Sequence, residues 1–240
     1  MVDRVLSWMR DAERIVVLTG AGVSAESGVP VFRGAGGLWR QFRPEDLATP
    51  EAFARQPALV WEWYLWRREK IAAAQPNAGH YAIAAIERDR AGVTLLTQNV
   101  DGLHERAGSA CPLELHGSVW RVRCQRGCGV SECDESSSPP RQTLTCRCGA
   151  WLRPDVVWFG EPLNPDVLEA ATDAIEAADL VLVVGTSSVV YPVAALPHLA
   201  RRRAARVVEI NVDETPLTAH ADAVLRGTAG QVLPGLAEAL

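Results

Sequence analysis

No stretch of this 240-residue sequence is apolar for long enough to cross a bilayer, which excludes a helical membrane span. Residues 1–14 alternate charged and apolar side chains at helical spacing and lack the unbroken apolar centre of a signal peptide. There is no basic excess either. The 24 Lys and Arg face 29 Asp and Glu, a net charge of −5, which argues against a sequence-independent nucleic-acid binder. The run Arg201-Arg202-Arg203 is too short to alter that and reads as the solvated last turn of a helix. There is no internal repeat, and the one biased segment is the Ser/Pro-rich stretch 136–140. The expectation is a cytoplasmic monomer with neither nucleic acid nor membrane as partner. Thiols stay reduced in that compartment, so the six cysteines read as metal ligands or core residues before disulfides.

With 48% apolar and 22% charged residues, the chain suffices for one large α/β domain, or for a domain with a small insert. Short β-type runs lie at 15–19, 93–97, 155–159, 180–184, 207–210 and 223–225. The better ones are continuous Val/Ile/Leu, as in strands buried on both faces of a parallel sheet. Helical pattern falls between several of them, as at 80–89 and 166–178. This alternation predicts a Rossmann-like α/β sheet with helices on both faces, built from 1–40, 78–120 and 154–240. Residues 41–77 hold Pro44, Pro50, Pro57 and Pro76 and no convincing strand, so they read as a helical module. Residues 121–153 hold five of the six cysteines and read as a metal-stapled module. The two inserts together form a small domain.

Polar residues follow the carboxyl ends of four runs: Gly20-Ala21-Gly22-Val23-Ser24, Gln98-Asn99-Val100-Asp101, Gly185-Thr186-Ser187 and Asn211-Val212-Asp213. Ligands of open α/β sheets bind at that edge, so one extended site is expected. Gly20-x-Gly22-x-x-Ala25 suits a diphosphate, through close backbone approach and the start of a following helix, although a glycine turn there is also ordinary architecture. A dehydrogenase would next show a strand ending in an acidic residue. Here Phe32-Arg33-Gly34-Ala35-Gly36-Gly37 takes that place, and Asn211 and Asp213 are better candidates for ribose hydroxyls.

In order along the chain, Gly20-Ala21-Gly22-Val23-Ser24, Thr97-Gln98-Asn99-Val100-Asp101-Gly102-Leu103-His104, Leu115-His116-Gly117, Phe159-Gly160-Glu161 and Gly185-Thr186-Ser187 resemble the motifs of the sirtuin family. The resemblance implies an NAD-dependent protein-lysine deacylase acting on acyl-lysine proteins or peptides. It places Ala21, Phe32, Arg33, Gln98, Asn99 and Asp101 around the nicotinamide end of NAD, and Gly185, Thr186, Ser187 and Asn211 towards the phosphates and adenosine. It makes His116 the base that accepts a proton from the ribose hydroxyls. The products are then lysine, nicotinamide and O-acyl-ADP-ribose. Imidazole titrates near neutrality and suits that task, while Asn99 and Asp101 orient groups without attacking them. His80, His104, His198 and His220 read as structural. Phe159, Gly160 and Glu161, with Val157, resemble the segment that pairs with the substrate backbone as an added strand.

The stretch 152–161 and Gly185-Thr186-Ser187-Ser188-Val189-Val190-Tyr191-Pro192 are similar to the branch that includes bacterial sirtuins and the mammalian mitochondrial desuccinylase. That branch has Tyr-x-x-Arg where this chain has Tyr64 and Arg67, three apart on a Trp-rich helix. The resemblance implies that the pair binds the distal carboxylate of succinyl-, malonyl- or glutaryl-lysine, with some deacetylation retained. By themselves the two residues read as part of an aromatic core stripe and a solvated charge.

Cys124-x-x-x-Cys128 and Cys146-x-Cys148 offer four thiolates to one structural zinc. Sirtuins generally carry two Cys-x-x-Cys pairs, so one spacing here is longer and the other shorter. Use of Cys133, or loss of metal, are the alternatives. Cys111 is expected as a small buried apolar residue. Transfer of ADP-ribose to protein and NAD(P)-dependent oxidoreduction remain as other functions for the same nucleotide site.

Overall fold

The computed structural model describes residues 1–31, 43–134 and 145–240. Phe32 and Arg33, and the Ser/Pro stretch 136–140, lie outside the described residues.

Six strands form one parallel sheet among the described residues. In chain order they are β1 (Ile15–Thr19), β2 (Val93–Thr97), β3 (Leu113–Glu114), β7 (Leu180–Val184), β8 (Arg206–Asn211) and β9 (Ala223–Arg226). Their spatial order is β3-β2-β1-β7-β8-β9. The order reverses at β1, which pairs in parallel with β2 on one side and β7 on the other. Ligands of doubly wound sheets settle in the crevice at such a reversal.

Both faces are covered because alternate side chains of each strand point to opposite sides. Ile15 and Val17 of β1, with Leu182 and Val184 of β7, pack against α1 (Val2–Asp11), α6 (Ala78–Asp89) and α10 (Ala229–Glu238) through Val5, Met9, Ile83, Ile86 and Leu233. Val16, Leu18, Val181 and Val183 face the other way. They meet Ala171 and Ile175 of α8 (Pro165–Glu176) and Leu196 and Ala200 of α9 (Leu196–Arg202).

The small lobe joins two inserts. Residues 44–73 fold into α3 (Pro44–Leu47), α4 (Pro50–Arg55) and α5 (Pro57–Ala73). A three-stranded antiparallel sheet, β5-β4-β6, holds β4 (Gly117–Cys124), β5 (Ser131–Cys133) and β6 (Leu152–Val156). The two share one core in which Phe53, Trp61, Trp63 and Tyr64 meet Val119, Val122, Val156 and Trp158.

The run 155–159 therefore differs from expectation. It is not a strand of the parallel sheet: β6 ends at Val156 and pairs antiparallel with β4. Arg153 is buried within that strand, and burial on a sheet shared with helices gives the same apolar signature as burial in a parallel sheet. The two-residue strand β3 carries too little pattern to read from sequence. It nonetheless pairs in parallel with β2 and brings the chain to the sheet's rim. There Gly117, at φ +75, turns the chain into β4, and a Cβ at that position would meet the Asp155 carbonyl oxygen at 2.1 Å. No helix among the described residues is long and apolar enough to cross a membrane.

Candidate active site

The carboxyl ends of β1 and β7 touch. Gly22 N–H donates to the Gly185 carbonyl at 2.8 Å, and Gly20 N–H donates to Val184 O at 3.0 Å. A Cβ on Gly22 would lie 2.7 Å from the Gly185 oxygen, so this glycine is required by the neighbouring loop itself. The helix that follows, α2 (Ala21–Ala25), is a single short turn of five residues. Gly22→Ala should force two backbones apart, costing about 1–3 kcal/mol. The rise in Tm that added NAD gives the unaltered protein should shrink in this variant, and thermal melts with and without NAD check it.

These loops line a cavity of 760 Å³, together with Gln98, Asn99, His116, Thr186, Ser187, Asn211 and Asp213. Gln98 Nε2 donates to Thr186 Oγ1 at 3.0 Å and so ties the end of β2 to the β7 loop. Asn211 Nδ2 donates to the Thr186 carbonyl at 2.8 Å, while its Oδ1 accepts from Val212 N–H at 2.9 Å. Its amide thus fixes the Thr186 turn as well as facing the cavity.

Ser24 and Asp101 stand behind Asn99. Asn99 Nδ2 donates to the Gly20 carbonyl at 3.1 Å and to Ser24 Oγ at 3.3 Å. Ser24 Oγ in turn donates to Asp101 Oδ2 at 2.7 Å, and Asp101 Oδ1 accepts from Leu103 N–H at 3.0 Å. With its nitrogen so committed, Asn99 keeps its amide oxygen for a ligand.

His80 belongs to the same chain of hydrogen bonds. Its Nδ1 accepts from the Asn77 backbone N–H at 3.3 Å, so the ring proton sits on Nε2, 3.3 Å from Ser24 Oγ. Burial lowers the His80 pKa, opposed by Asp101 and Glu26. His104 lies beside it, with ring centroids 4.9 Å apart, and Nε2 is 3.0 Å from Thr19 Oγ1. Burial, aided by His80, pushes His104 down to about 3, so it is a neutral structural group. His198 and His220 face each other at 5.2 Å, away from the cavity.

His116 lies two residues past the end of β3 and lines the cavity. Its Nδ1 lies 3.2 Å from the Gln98 carbonyl, which can only accept. The proton is thus on Nδ1 and the lone pair on Nε2. Burial lowers the pKa and the Gln98 bond partly restores it, which favours the neutral ring.

The same cavity is also lined by Tyr64 and Arg67 of α5, with Val157, Phe159, Gly160 and Glu161 beyond β6. Tyr64 is 3% exposed and Arg67 5%, so neither is a surface group. The Arg67 guanidinium carbon lies 5.1 Å from the Trp63 ring centroid. Burial lowers Arg67 from its ordinary value and is opposed by Tyr64 and Asp101, while guanidinium stays charged at neutral pH.

The sequence profile of the Sir2 family matches residues 20–192. The chain belongs to the Sir2 family, the sirtuins. It is 54% identical over 236 residues to the Pyrobaculum aerophilum protein named NAD-dependent protein deacylase 2, covering 98% of this chain and 94% of that one. A Sir2 homologue solved with NAD matches it at a TM-score of 0.91 and 51% identity, over 98% of this chain and 92% of that chain. A Sir2 protein solved with a p53 peptide and NAD+ matches at a TM-score of 0.85 and 30% identity, over 99% and 98%.

In this sirtuin the four cysteines come together despite their uneven spacing. Cys124 and Cys148 Sγ atoms are 3.5 Å apart, as are those of Cys128 and Cys146, and all four lie within 4.8 Å of one another. Four thiolates about 2.3 Å from a zinc ion have sulfur–sulfur edges of about 3.8 Å, so the set fits a closed tetrahedral site. The short Cys146-x-Cys148 bite is made by a turn in which Gly149 N–H donates to Cys146 O at 2.8 Å. Cys133 is exposed on β5 and outside the group. Among the described residues, only Val130, Ala150 and Leu152 pack around the thiolates, little apolar surface to hold the module. Cys128→Ser should therefore reduce bound zinc from one equivalent to a small fraction and lower Tm, as read by elemental analysis and thermal melts.

Cys111 departs from expectation, because it is exposed in the loop before β3. Glu161 departs in part. Its carboxylate accepts from Arg153 Nη1 at 2.5 Å, Arg123 Nη2 at 3.2 Å and the Trp158 backbone N–H at 2.9 Å, so it braces its own turn. Val157 and Phe159 donate their backbone N–H groups to His116 O and Ala48 O, both at 2.9 Å, which narrows what this segment offers an added strand. His80, read as structural from the sequence, caps α6 in an Asn77-x-x-His80 box and reaches the site through Ser24. Sequence reasoning missed Gly227 and Thr228, the polar turn after β9, which line the cavity.

Proposed function

We propose that this sirtuin, an NAD-dependent protein deacylase, works best on lysines that carry acidic acyl groups. One observation carries the reading: a single cavity holds the glycine rim of β1 and β7, a neutral His116 and the buried Tyr64–Arg67 pair. The rim has the chemistry of a dinucleotide site, with backbone, amide and hydroxyl groups of Gly20, Ala21, Gln98, Gly185, Thr186 and Ser187. Asn211 and Asp213 are the ribose candidates beside them. Bound there, NAD would supply an electrophilic ribose carbon for the oxygen of the acyl-lysine amide to attack as nicotinamide leaves, and the hydroxyl to which the acyl group then passes as water frees the lysine.

The chain's own residues then have distinct tasks. Nε2 of His116 takes a proton from a ribose hydroxyl, and the Gln98 carbonyl keeps that nitrogen free for it. Asn99 presents its amide oxygen, held in place by Ser24, Asp101 and, through Ser24, His80. Phe159, 40% exposed at the mouth, covers the acyl-lysine.

Arg67 and Tyr64 support the acidic preference. A buried guanidinium beside a phenol favours a carboxylate at the end of the acyl chain, through charge-assisted hydrogen bonds. Burial raises the Tyr64 pKa against the pull of Arg67, so the phenol stays protonated and donates. The four clustered thiols favour a reducing, cytoplasmic location.

The test is a panel of one peptide bearing acetyl-, succinyl-, malonyl- or glutaryl-lysine, incubated with and without NAD. Loss of the acyl group only when NAD is present, and faster loss of the acidic groups, is the expected outcome. Faster removal of acetyl would remove the acidic preference. ADP-ribose on protein without loss of any acyl group would point to transfer chemistry instead.

A further inference from the structure

The Tyr64 hydroxyl is not free to orient as it pleases. Trp158 Nε1 lies 2.8 Å from it, inside the small-lobe core. An indole N–H only donates, so the phenol oxygen must accept. Its own proton is directed away from Trp158, and no described residue takes that proton.

Trp158 is itself held from several sides. The Arg153 guanidinium carbon lies 3.3 Å from the centroid of its ring. Glu161 grips Arg153 Nη1 and Nη2 at 2.5 and 2.9 Å and takes the Trp158 backbone N–H at 2.9 Å. The Phe53 ring packs on it at 5.2 Å. This clamp fixes the indole relative to β6, and through the indole the Tyr64 oxygen.

We propose that Trp158 is a positioning residue for acyl selection: by donating to Tyr64, it turns the phenol proton into the cavity as a donor for an acyl carboxylate. The inference rests on the acidic-acyl reading of Tyr64 and Arg67. Trp158 gives no bond to the carboxylate. Without its N–H the phenol can instead present a lone pair to the anion, and the donor is lost for part of the time.

The test is kcat/KM on succinyl-lysine and acetyl-lysine versions of one peptide, for the unaltered enzyme, Trp158→Phe, Tyr64→Phe, the double variant and Arg67→Met. Both substrates are read on the same preparation, so any loss of folded protein cancels in the ratio. Trp158→Phe should lower the succinyl-to-acetyl ratio by about threefold to tenfold, the range of one neutral hydrogen bond. The double variant should be no less selective than Tyr64→Phe, because the indole acts only through the phenol. Replacing Trp158 by benzothienylalanine, which keeps the shape and lacks the N–H, should reproduce the Trp158→Phe ratio.

An unchanged ratio in Trp158→Phe and the benzothienyl variant, while Arg67→Met lowers it, would overturn the inference and leave the acidic reading standing. So would equal losses on both substrates, or effects of Trp158→Phe and Tyr64→Phe that multiply. A ratio unmoved by Arg67→Met as well would remove both.

Discussion

Alanine at position 116 is expected to lower kcat/KM for NAD-dependent deacylation by about 10²–10⁴-fold, the usual contribution of one general base. His116 is the one histidine that lines the described cavity, and the Gln98 carbonyl leaves its Nε2 as the acceptor. The loss should fall mainly on kcat, since the rest of the cavity is lined by other residues. His104, which is buried and neutral, is no substitute base.

The same geometry sets the pH dependence. Burial lowers the His116 pKa, so the basic form persists at a pH where a free imidazole would already be protonated. Activity should therefore rise with pH, and the acid limb of the kcat/KM profile should have its midpoint below about 6.5, the value for free imidazole. That limb should be absent from the residual activity of His116→Ala. A midpoint at or above the free value would mean that His116 is not the titrating base, or that it is not buried when it works.

Arg67→Met is expected to lower kcat/KM for a succinyl-lysine peptide by roughly tenfold to a hundredfold, or about 1.5–3 kcal/mol for a hydrogen bond to a charged group. An acetyl-lysine peptide should lose little or even gain, because methionine fills the same space without a buried charge. The pair lies on one helix face. Tyr64 and Arg67 share a side of α5, and that side is buried against the cavity. A variant that cleaves both peptides with unaltered selectivity would show that the guanidinium serves folding rather than recognition.

The parallel sheet was legible because its strands are short apolar runs, and β1, β2 and β7 begin and end where the pattern does. The rim was legible for a different reason: Gly20, Gln98, Gly185 and Asn211 each follow such a run, and topology then places them on one edge. The run at 155–159 misled because apolar burial in β6 is shared with α5 rather than with the parallel sheet. Arg67 on its own looked like a solvated charge, and only the small-lobe core shows why it is buried. Cys111 read as apolar core, yet it stands in an exposed loop. Links such as Trp158 to Tyr64 join residues 94 apart, and no local pattern encodes them.

The most direct measurement is the yield of free nicotinamide against deacylated lysine in one reaction of purified enzyme, NAD and a succinyl-lysine peptide. One nicotinamide for each lysine freed is expected, and none without the peptide's acyl group. Lysine freed with NAD left intact, or reduction of NAD without nicotinamide release, would contradict a cavity built to react an amide oxygen at the ribose.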